Sequence, residues 1–328
     1  MLPKKLALQI VLVVRLLWSL SNSEPARVKL PTQTRDFSVL PTELINLVYN
    51  YEQQLDYLSN KMPSFIEELF GLSDRNILLT GASSGIGEHW ALVLCQAKVK
   101  TLALCARRKD RIDRLASELS RRFPETKVCA IALDVSWPAS KISDAVTEAE
   151  RALGGVTFNV LINNAGVGPN GPVLKETQEQ IDNTLAINVR GPYLLSIEIA
   201  KRLVQKNMEG SIINVASIFG IRVGFNNPTY ATSKAALVQL TKALAIELLG
   251  KKIHVNAIAP GYYRSEMTSD FYDSPAGQKY LQTKVPSKRL GDIPEMDGAL
   301  LLLASRRGCS NMTGSIVVID GGHSISSL

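Results

Sequence analysis

The chain has 328 residues, 45% of them hydrophobic and 20% charged, enough for one sizeable domain with a full core and an extra terminal segment. Its formal charge of +7 raises nucleic acid as a partner. The basic residues are dispersed, however, in short pairs such as Arg107-Arg108, Arg121-Arg122 and Lys251-Lys252, with three Trp and eight Phe to stack on bases, and nucleic-acid binding is set aside. The four cysteines lack C-x-x-C spacing and the three histidines lack a partner at ligand spacing, so reduced thiols and no metal site are expected.

Residues 1–23 carry Lys4, Lys5 and Arg15 and no acid, the first carboxylate being Glu24, which is a targeting-like composition. The apolar run from Leu6 to Val14 is about half the ~20 residues a bilayer-spanning helix needs, and Arg15 interrupts it. Import into an organelle, mitochondrial first, is the favoured expectation. An endomembrane anchor, giving residues 1–23 a membrane contact, and an uncleaved cytosolic extension stay open. Residues 24–40, with Pro25 and Pro31, read as a linker. Pro41-Thr42-Glu43 then opens a helix to about Leu58, with Leu44, Leu47, Val48, Tyr51 and Leu55 at helical spacing. The expected division is a targeting-like or anchor segment at 1–23, a linker and extra helix at 24–70, and a nucleotide-binding domain at 71–328.

From Asn76 onward short apolar runs alternate with amphipathic stretches. Strands are predicted at Asn76–Thr80, Lys100–Ala106, Lys127–Leu133, Phe158–Asn163, Ser211–Ala216, Ile253–Ala259 and Ser315–Ile319. Crossover helices fit at 85–97, 109–122, 139–153, 177–206, 228–249 and 294–304. The expected fold class is α/β: a single doubly wound, Rossmann-type, seven-stranded parallel sheet with helices on both faces, plus an N-terminal helical extension.

The first strand runs into Gly81-Ala82-Ser83-Ser84-Gly85-Ile86-Gly87 and then a helix. Glycines allow a sharp turn and a close approach to a pyrophosphate, and the free amides at the helix start favour the anion. The second strand ends at Ala106 rather than at an acid that would bond a ribose 2′-hydroxyl. Arg107 and Arg108 follow, and their guanidinium forks suit a 2′-phosphate, so NADP(H) is the expected cofactor. Arg107, first after the strand, is the stronger of the two; as an alternative both are solvated residues at a helix start.

Tyr230 and Lys234 stand four apart at the start of a long helix and share a face. Ser217 follows the fifth strand, at the carboxyl edge where open α/β sheets bind ligands, so the three can converge. A free tyrosine, pKa about 10, is a poor base near neutrality; a neighbouring ammonium is expected to lower that barrier, with Ser217 orienting the substrate oxygen.

Thr80-Gly81-Ala82-Ser83-Ser84-Gly85-Ile86-Gly87 resembles the nucleotide loop of the short-chain dehydrogenase/reductase family. The match continues through Asp134-Val135, Asn163-Asn164-Ala165-Gly166, Asn188, Ser217, Tyr230-x-x-x-Lys234, Pro260-Gly261 and Asp320-Gly321-Gly322, in order and spacing across residues 71–323. The resemblance implies hydride transfer between a ketone and a secondary alcohol, with Tyr230 as general acid/base. It implies that Asp134 meets the adenine edge, that Lys234 holds the nicotinamide ribose, and that Val135, Asn164, Ala165, Gly166 and Tyr230 also line the cofactor. It also implies that Pro260, Gly261 and Ser265 face the nicotinamide and that Asn188 positions a water for proton relay. Asn188 could instead be a helix polar residue bonded to backbone. A homodimer or homotetramer through the helices at 177–206 and 228–249 is implied too. The chain departs from the family at Ala216, where many members carry serine, at Ser265, where many carry threonine, and at Gln96-Ala97-Lys98, which lacks the usual glycine.

Residues 262–290 form the longest insertion at the active edge and are expected to cover a small carbonyl or alcohol substrate. They include Met267, Phe271, Tyr272 and Tyr280 as well as Lys279, Lys284, Lys288 and Arg289, which keeps an acidic or acyl-carrier substrate open. The resemblance is shared about equally with 3-oxoacyl-carrier reductases and with sugar-acid or polyol dehydrogenases. A different class of function, a catalytically idle NADP(H) sensor or scaffold, is disfavoured by the intact Ser217, Tyr230 and Lys234.

Overall fold

Alternation of side chains along each strand explains how one sheet makes two cores. In β1 (Asn76–Thr80), Ile77 and Leu79 point to one face and Leu78 to the other. A computed structural model describes residues 65–168, 171–264, 272–305 and 307–327. The remaining strands are β2 (Thr101–Ala106), β3 (Lys127–Ala132), β4 (Val160–Asn163), β5 (Gly210–Val215), β6 (Ile253–Pro260) and β7 (Ile316–Ile319). All pair in parallel, in the order β3-β2-β1-β4-β5-β6-β7. The seven-stranded doubly wound sheet expected from the sequence is the observed one.

The helices are α1 (Phe65–Phe70), α2 (Gly85–Gln96), α3 (Lys109–Arg122), α4 (Ala139–Ala152), α5 (Gln178–Leu185), α6 (Gly191–Gln205), α7 (Pro228–Leu249), α8 (Pro275–Lys284) and α9 (Asp297–Ala304). Helices α2, α3 and α9 cover one face, with Trp90, Leu94, Ile112, Leu119, Leu300 and Leu303 packed over Ile77 and Leu79. Helices α4, α6 and α7 cover the other, where Ile142, Leu195, Ile199 and Leu244 meet Leu78, Leu161 and Ile212. Each fully buried Leu or Ile contributes roughly 1.5–3 kcal/mol, so the two layers dominate the stability of the unit.

Two local differences from the expected elements have physical causes. The stretch expected as one helix over 177–206 is interrupted by a π-helical turn, Ala186–Arg190, between α5 and α6. Such turns insert an extra residue and re-aim a side chain. Where the usual glycine is missing after α2, Lys98 itself adopts φ +58, a conformation that costs an ordinary residue strain, and its amine pairs with Glu67 at 2.8 Å. That contact, with Arg307 to Glu68 at 2.8 Å, ties α1 to the rest of the unit.

The targeting-like segment, the linker, the helix expected near 41–58 and Ser265, Met267 and Phe271 lie outside the described residues. Among the described residues no helix is long and apolar enough to cross a membrane, and no group of three or more His, Cys, Asp or Glu is placed to hold a metal ion.

Candidate active site

The strand order reverses direction between β1 and β4, and the loops leaving their carboxyl ends meet there. Thr80 ends β1 and clamps them: its hydroxyl donates to the Ile162 carbonyl at 3.2 Å and accepts from the amides of Asn164 and Ala165 at 3.0 and 3.1 Å. Asn164 Nδ2 returns the contact, donating to the carbonyls of Thr80 and Gly81 at 3.0 and 3.2 Å. Gly81 lies at φ +68, and a Cβ there would stand 2.8 Å from Ala165 Cα. One on Gly87 would stand 2.3 Å from the Gly81 carbonyl oxygen. Both glycines are therefore required by the close approach of loop and helix.

Ser84 caps α2 in an extended conformation without spending its side chain on the helix amides, which leaves the N–H groups of Gly85, Ile86 and Gly87 available to an anion. Arg108 lies over this turn, its Nε donating to Ser83 Oγ at 3.2 Å and its NH2 group to Ser84 Oγ at 2.6 Å. Arg107 is solvent-exposed beside it. Sequence position alone ranked Arg107 first; the fold brings Arg108 onto the glycine loop. Asp134 is half-buried after β3, with Oδ1 accepting from the amide and hydroxyl of Ser136 at 2.9 and 2.7 Å. Val135 beneath it is buried, and Gly191 lets α6 approach it, since a Cβ on Gly191 would lie 2.6 Å from the Val135 carbonyl oxygen. Pro260 ends β6, and the Gly261 amide donates to the Ile319 carbonyl at 2.9 Å.

Ser217, Tyr230, Lys234 and Asn188 come together at the carboxyl edge of β4 and β5. Ser217 starts a 3-10 turn, Ile218–Gly220, that packs directly on α7: a Cβ on Gly220 would stand 2.7 Å from the Lys234 carbonyl oxygen. The Lys234 amine is buried and donates to the Val215 carbonyl at 2.8 Å. A Cβ on Gly166 would lie 3.3 Å from Asn188 Oδ1 and 3.5 Å from Lys234 Nζ, so both polar groups reach the loop after β4. The π turn carries Asn188, whose Oδ1 accepts from the Val167 amide at 2.9 Å and whose Nδ2 donates to the Val167 carbonyl and to Ser233 Oγ, each at 3.0 Å. Both donors of this amide are thus used in bracing the β4 loop to α7.

Electrostatics here differ from the sequence expectation. Burial pushes the Tyr230 phenol above its usual value, and its hydrogen bond with Ser217 only partly offsets that. Burial also lowers Lys234 to about 8. Its amine sits 5.8 Å from the centroid of the Tyr230 ring, with a hydrogen bond committed to backbone. In the protein alone, desolvation therefore sets the direction of the phenol's shift, opposite to the acidification expected from Lys234.

A family model described as enoyl-(acyl carrier protein) reductase matches residues 81–324. The chain belongs to the short-chain dehydrogenase/reductase family of oxidoreductases. Among curated relatives, the L-xylulose reductase of Caenorhabditis elegans is 33% identical over 255 residues, covering 78% of this chain and 98% of the relative. Among solved structures, a gluconate 5-dehydrogenase from Burkholderia cenocepacia in complex with NADP and tartrate is 25% identical, with a TM-score of 0.73, covering 79% of this chain and 98% of that one. An NADPH-dependent 3-quinuclidinone reductase from Rhodotorula rubra is 27% identical at a TM-score of 0.72, covering 81% and 97%.

This short-chain dehydrogenase/reductase also carries an aromatic wall that sequence reading did not assemble. Phe219 lies edge-on to Tyr230 and to Tyr262, with ring centroids 6.1 and 5.9 Å apart. Tyr262 in turn meets Tyr272, Tyr280 and His323. Tyr262 and Tyr280 share a 3.0 Å hydrogen bond between hydroxyls, and burial followed by that bond raises the Tyr262 phenol far above its normal range. Arg222 closes the group by donating to the His323 carbonyl. Phe219 and His323 lie 104 positions apart in the sequence, so no local spacing could have brought them together with the tyrosines of the 262–290 segment.

Proposed function

We propose that the chain is an NADP(H)-dependent oxidoreductase that interconverts a ketone and a secondary alcohol, with Tyr230 as the general acid/base. The observation that carries this reading is the convergence of Ser217, Tyr230 and the buried Lys234 beside the loop after β4, which itself packs on the glycine-rich loop. The residues fit the dinucleotide: uncapped amides at the start of α2 suit the pyrophosphate, and the Arg108 guanidinium at Ser83 and Ser84 suits a 2′-phosphate. Relatives solved with NADP or described as NADPH-dependent support the same choice.

When bound, the nicotinamide supplies the hydride, or accepts it, and carries a positive charge when oxidised. The protein handles the proton. A phenol held above its usual pKa is fully protonated near neutrality, so Tyr230 is ready to give its proton to a developing alkoxide. Ser217 can then donate to the same oxygen and hold it against the phenol. Lys234, charged below about 8, stabilises the phenolate left behind, and its tether to Val215 keeps the amine from turning to solvent. Asn188 holds the β4 loop and α7 in register, which preserves the spacing of this set.

The function is tested by following NADPH oxidation with a panel of ketones; turnover of at least one and little use of NADH is the expected result. Two further outcomes follow. Reversing the charge of Arg108 with Arg108→Asp is expected to raise KM for NADPH by about 10- to 100-fold relative to NADH, the worth of one hydrogen bond to a charged group. An unchanged cofactor preference would assign the phosphate to other groups. For pH, Lys234 has a depressed pKa, so its charge is complete at low pH and is lost as pH rises. The kcat/KM for ketone reduction is expected to fall through about 8. A profile flat across that region would show that the lysine charge does not matter.

Self-association is proposed on the same footing. Tyr193 and Val204 on α6 and Ile246 and Leu249 on α7 expose apolar surface, which supports a homodimer or homotetramer through these helices.

A further inference from the structure

Two loops meet at the start of α7, the helix that carries Tyr230, and both present large apolar side chains to solvent. On the loop leading into α5, Val173 and Leu174 are exposed, Leu174 at 96% of its free surface; on the loop leading into α7, Val223 and Phe225 are exposed, Phe225 at 99%. Between them lies a groove of about 470 Å³ bordered by Pro172, Val173, Leu174, Gly224, Phe225 and Pro228. That volume is within the range of small-molecule sites. Lys175 and Asn226 also border it and are solvent-exposed.

The groove is structurally joined to the catalytic site. Thr229, beside Tyr230, donates from its hydroxyl to Glu176 Oε2 at 2.6 Å and so ties the first loop to the start of α7. The second loop packs on the aromatic wall: a Cβ on Gly224 would stand 2.6 Å from the Phe219 ring, and that ring contacts Tyr230. Pro228 borders the groove two residues before the catalytic phenol.

Leu174 and Phe225 gain nothing from this position in the free protein, because they remain in water. They gain when an apolar ligand covers them. A polyol in the same place would surrender hydrogen bonds to water and meet mostly hydrocarbon in exchange. From this we infer that the substrate is a lipophilic ketone or its alcohol, bound with its apolar body between Leu174 and Phe225 and its carbonyl at Tyr230 and Ser217. The expected specificity thus differs from that of relatives named for sugars and sugar acids. The inference rests on the function proposed above.

The test compares α-tetralone, a bicyclic aryl ketone, with L-xylulose, an open-chain ketose, at saturating NADPH, using wild type, Leu174→Ser, Phe225→Ser and Tyr230→Phe. Wild type is expected to favour α-tetralone in kcat/KM by about tenfold or more, since each methylene-sized apolar contact discriminates by roughly that factor. Both serine variants are expected to raise KM for α-tetralone about tenfold with little change in kcat, and to narrow its advantage over L-xylulose. A loss shared equally by both substrates and carried by kcat would mark these residues as structural and overturn the inference. Preference for L-xylulose, with Tyr230→Phe inactive, would overturn it while leaving the proposed function standing. Turnover unaffected by Tyr230→Phe would remove both.

Discussion

Replacing Tyr230 by phenylalanine is expected to lower kcat for ketone reduction by about 100- to 10,000-fold, the usual contribution of a positioned general acid. The substitution deletes one oxygen. Its ring keeps the edge-on contact with Phe219, whose centroid lies 6.1 Å away, so the aromatic packing survives. What disappears is the proton that burial holds on the phenol and the hydrogen bond with Ser217. The Lys234 amine is anchored on the Val215 carbonyl at 2.8 Å and lies 5.8 Å from the centroid of the Tyr230 ring, so it is not placed where the phenol oxygen was. The expected signature is a collapse of kcat with near wild-type NADPH affinity and melting temperature. A variant that reduces ketones at close to the wild-type rate would place the acid elsewhere.

The second large effect is expected at Gly87. A Cβ there would lie 2.3 Å from the Gly81 carbonyl oxygen, which is backbone, and 2.5 Å from Asn164 Nδ2, which is held by its hydrogen bonds to Thr80 and Gly81. Gly87→Val must therefore push α2 away from the loop, or break the Asn164 bonds to Thr80 and Gly81 that join β1 to β4. Overpacking of this kind costs about 1–3 kcal/mol of stability. Displacing the amides at the start of α2 is expected to weaken NADPH binding by about 10- to 100-fold, the worth of a hydrogen bond to a charged group. Urea unfolding and fluorescence titration of NADPH measure the two losses separately. A variant that keeps both wild-type stability and wild-type affinity would show that the helix start does not hold the dinucleotide.

The residues that the sequence could identify are those whose role depends on near neighbours along the chain. Glycines at 81, 85 and 87 after an apolar run mark a turn into a helix; Tyr230 and Lys234, four apart, share a helix face; Ser217 follows a strand. The comparison with curated relatives reaches the same family on the same stretch. The expected strands and helices agree closely with the observed ones because buried parallel strands and amphipathic helices differ in hydrophobic period. The π turn at Ala186–Arg190 escaped, since a single inserted residue leaves that period nearly unchanged.

Other features required the chain to be folded back on itself. Which arginine reaches Ser83 and Ser84 depends on how the end of β2 turns beside β1, and sequence order favoured the neighbour of the one that makes contact. For Tyr230 the spacing to Lys234 is readable in the sequence, whereas the burial that raises its phenol in the protein alone is a property of the whole packed edge. The aromatic wall joins Phe219, Tyr262, Tyr280 and His323 from four separate elements. Composition, period and short motifs thus determined the sheet, the glycine-rich turn after β1 and the proximity of Ser217, Tyr230 and Lys234 by themselves. Only tertiary structure decided their pKa values, their braces and the apolar groove beside them, because desolvation and contact arise between segments far apart in the chain.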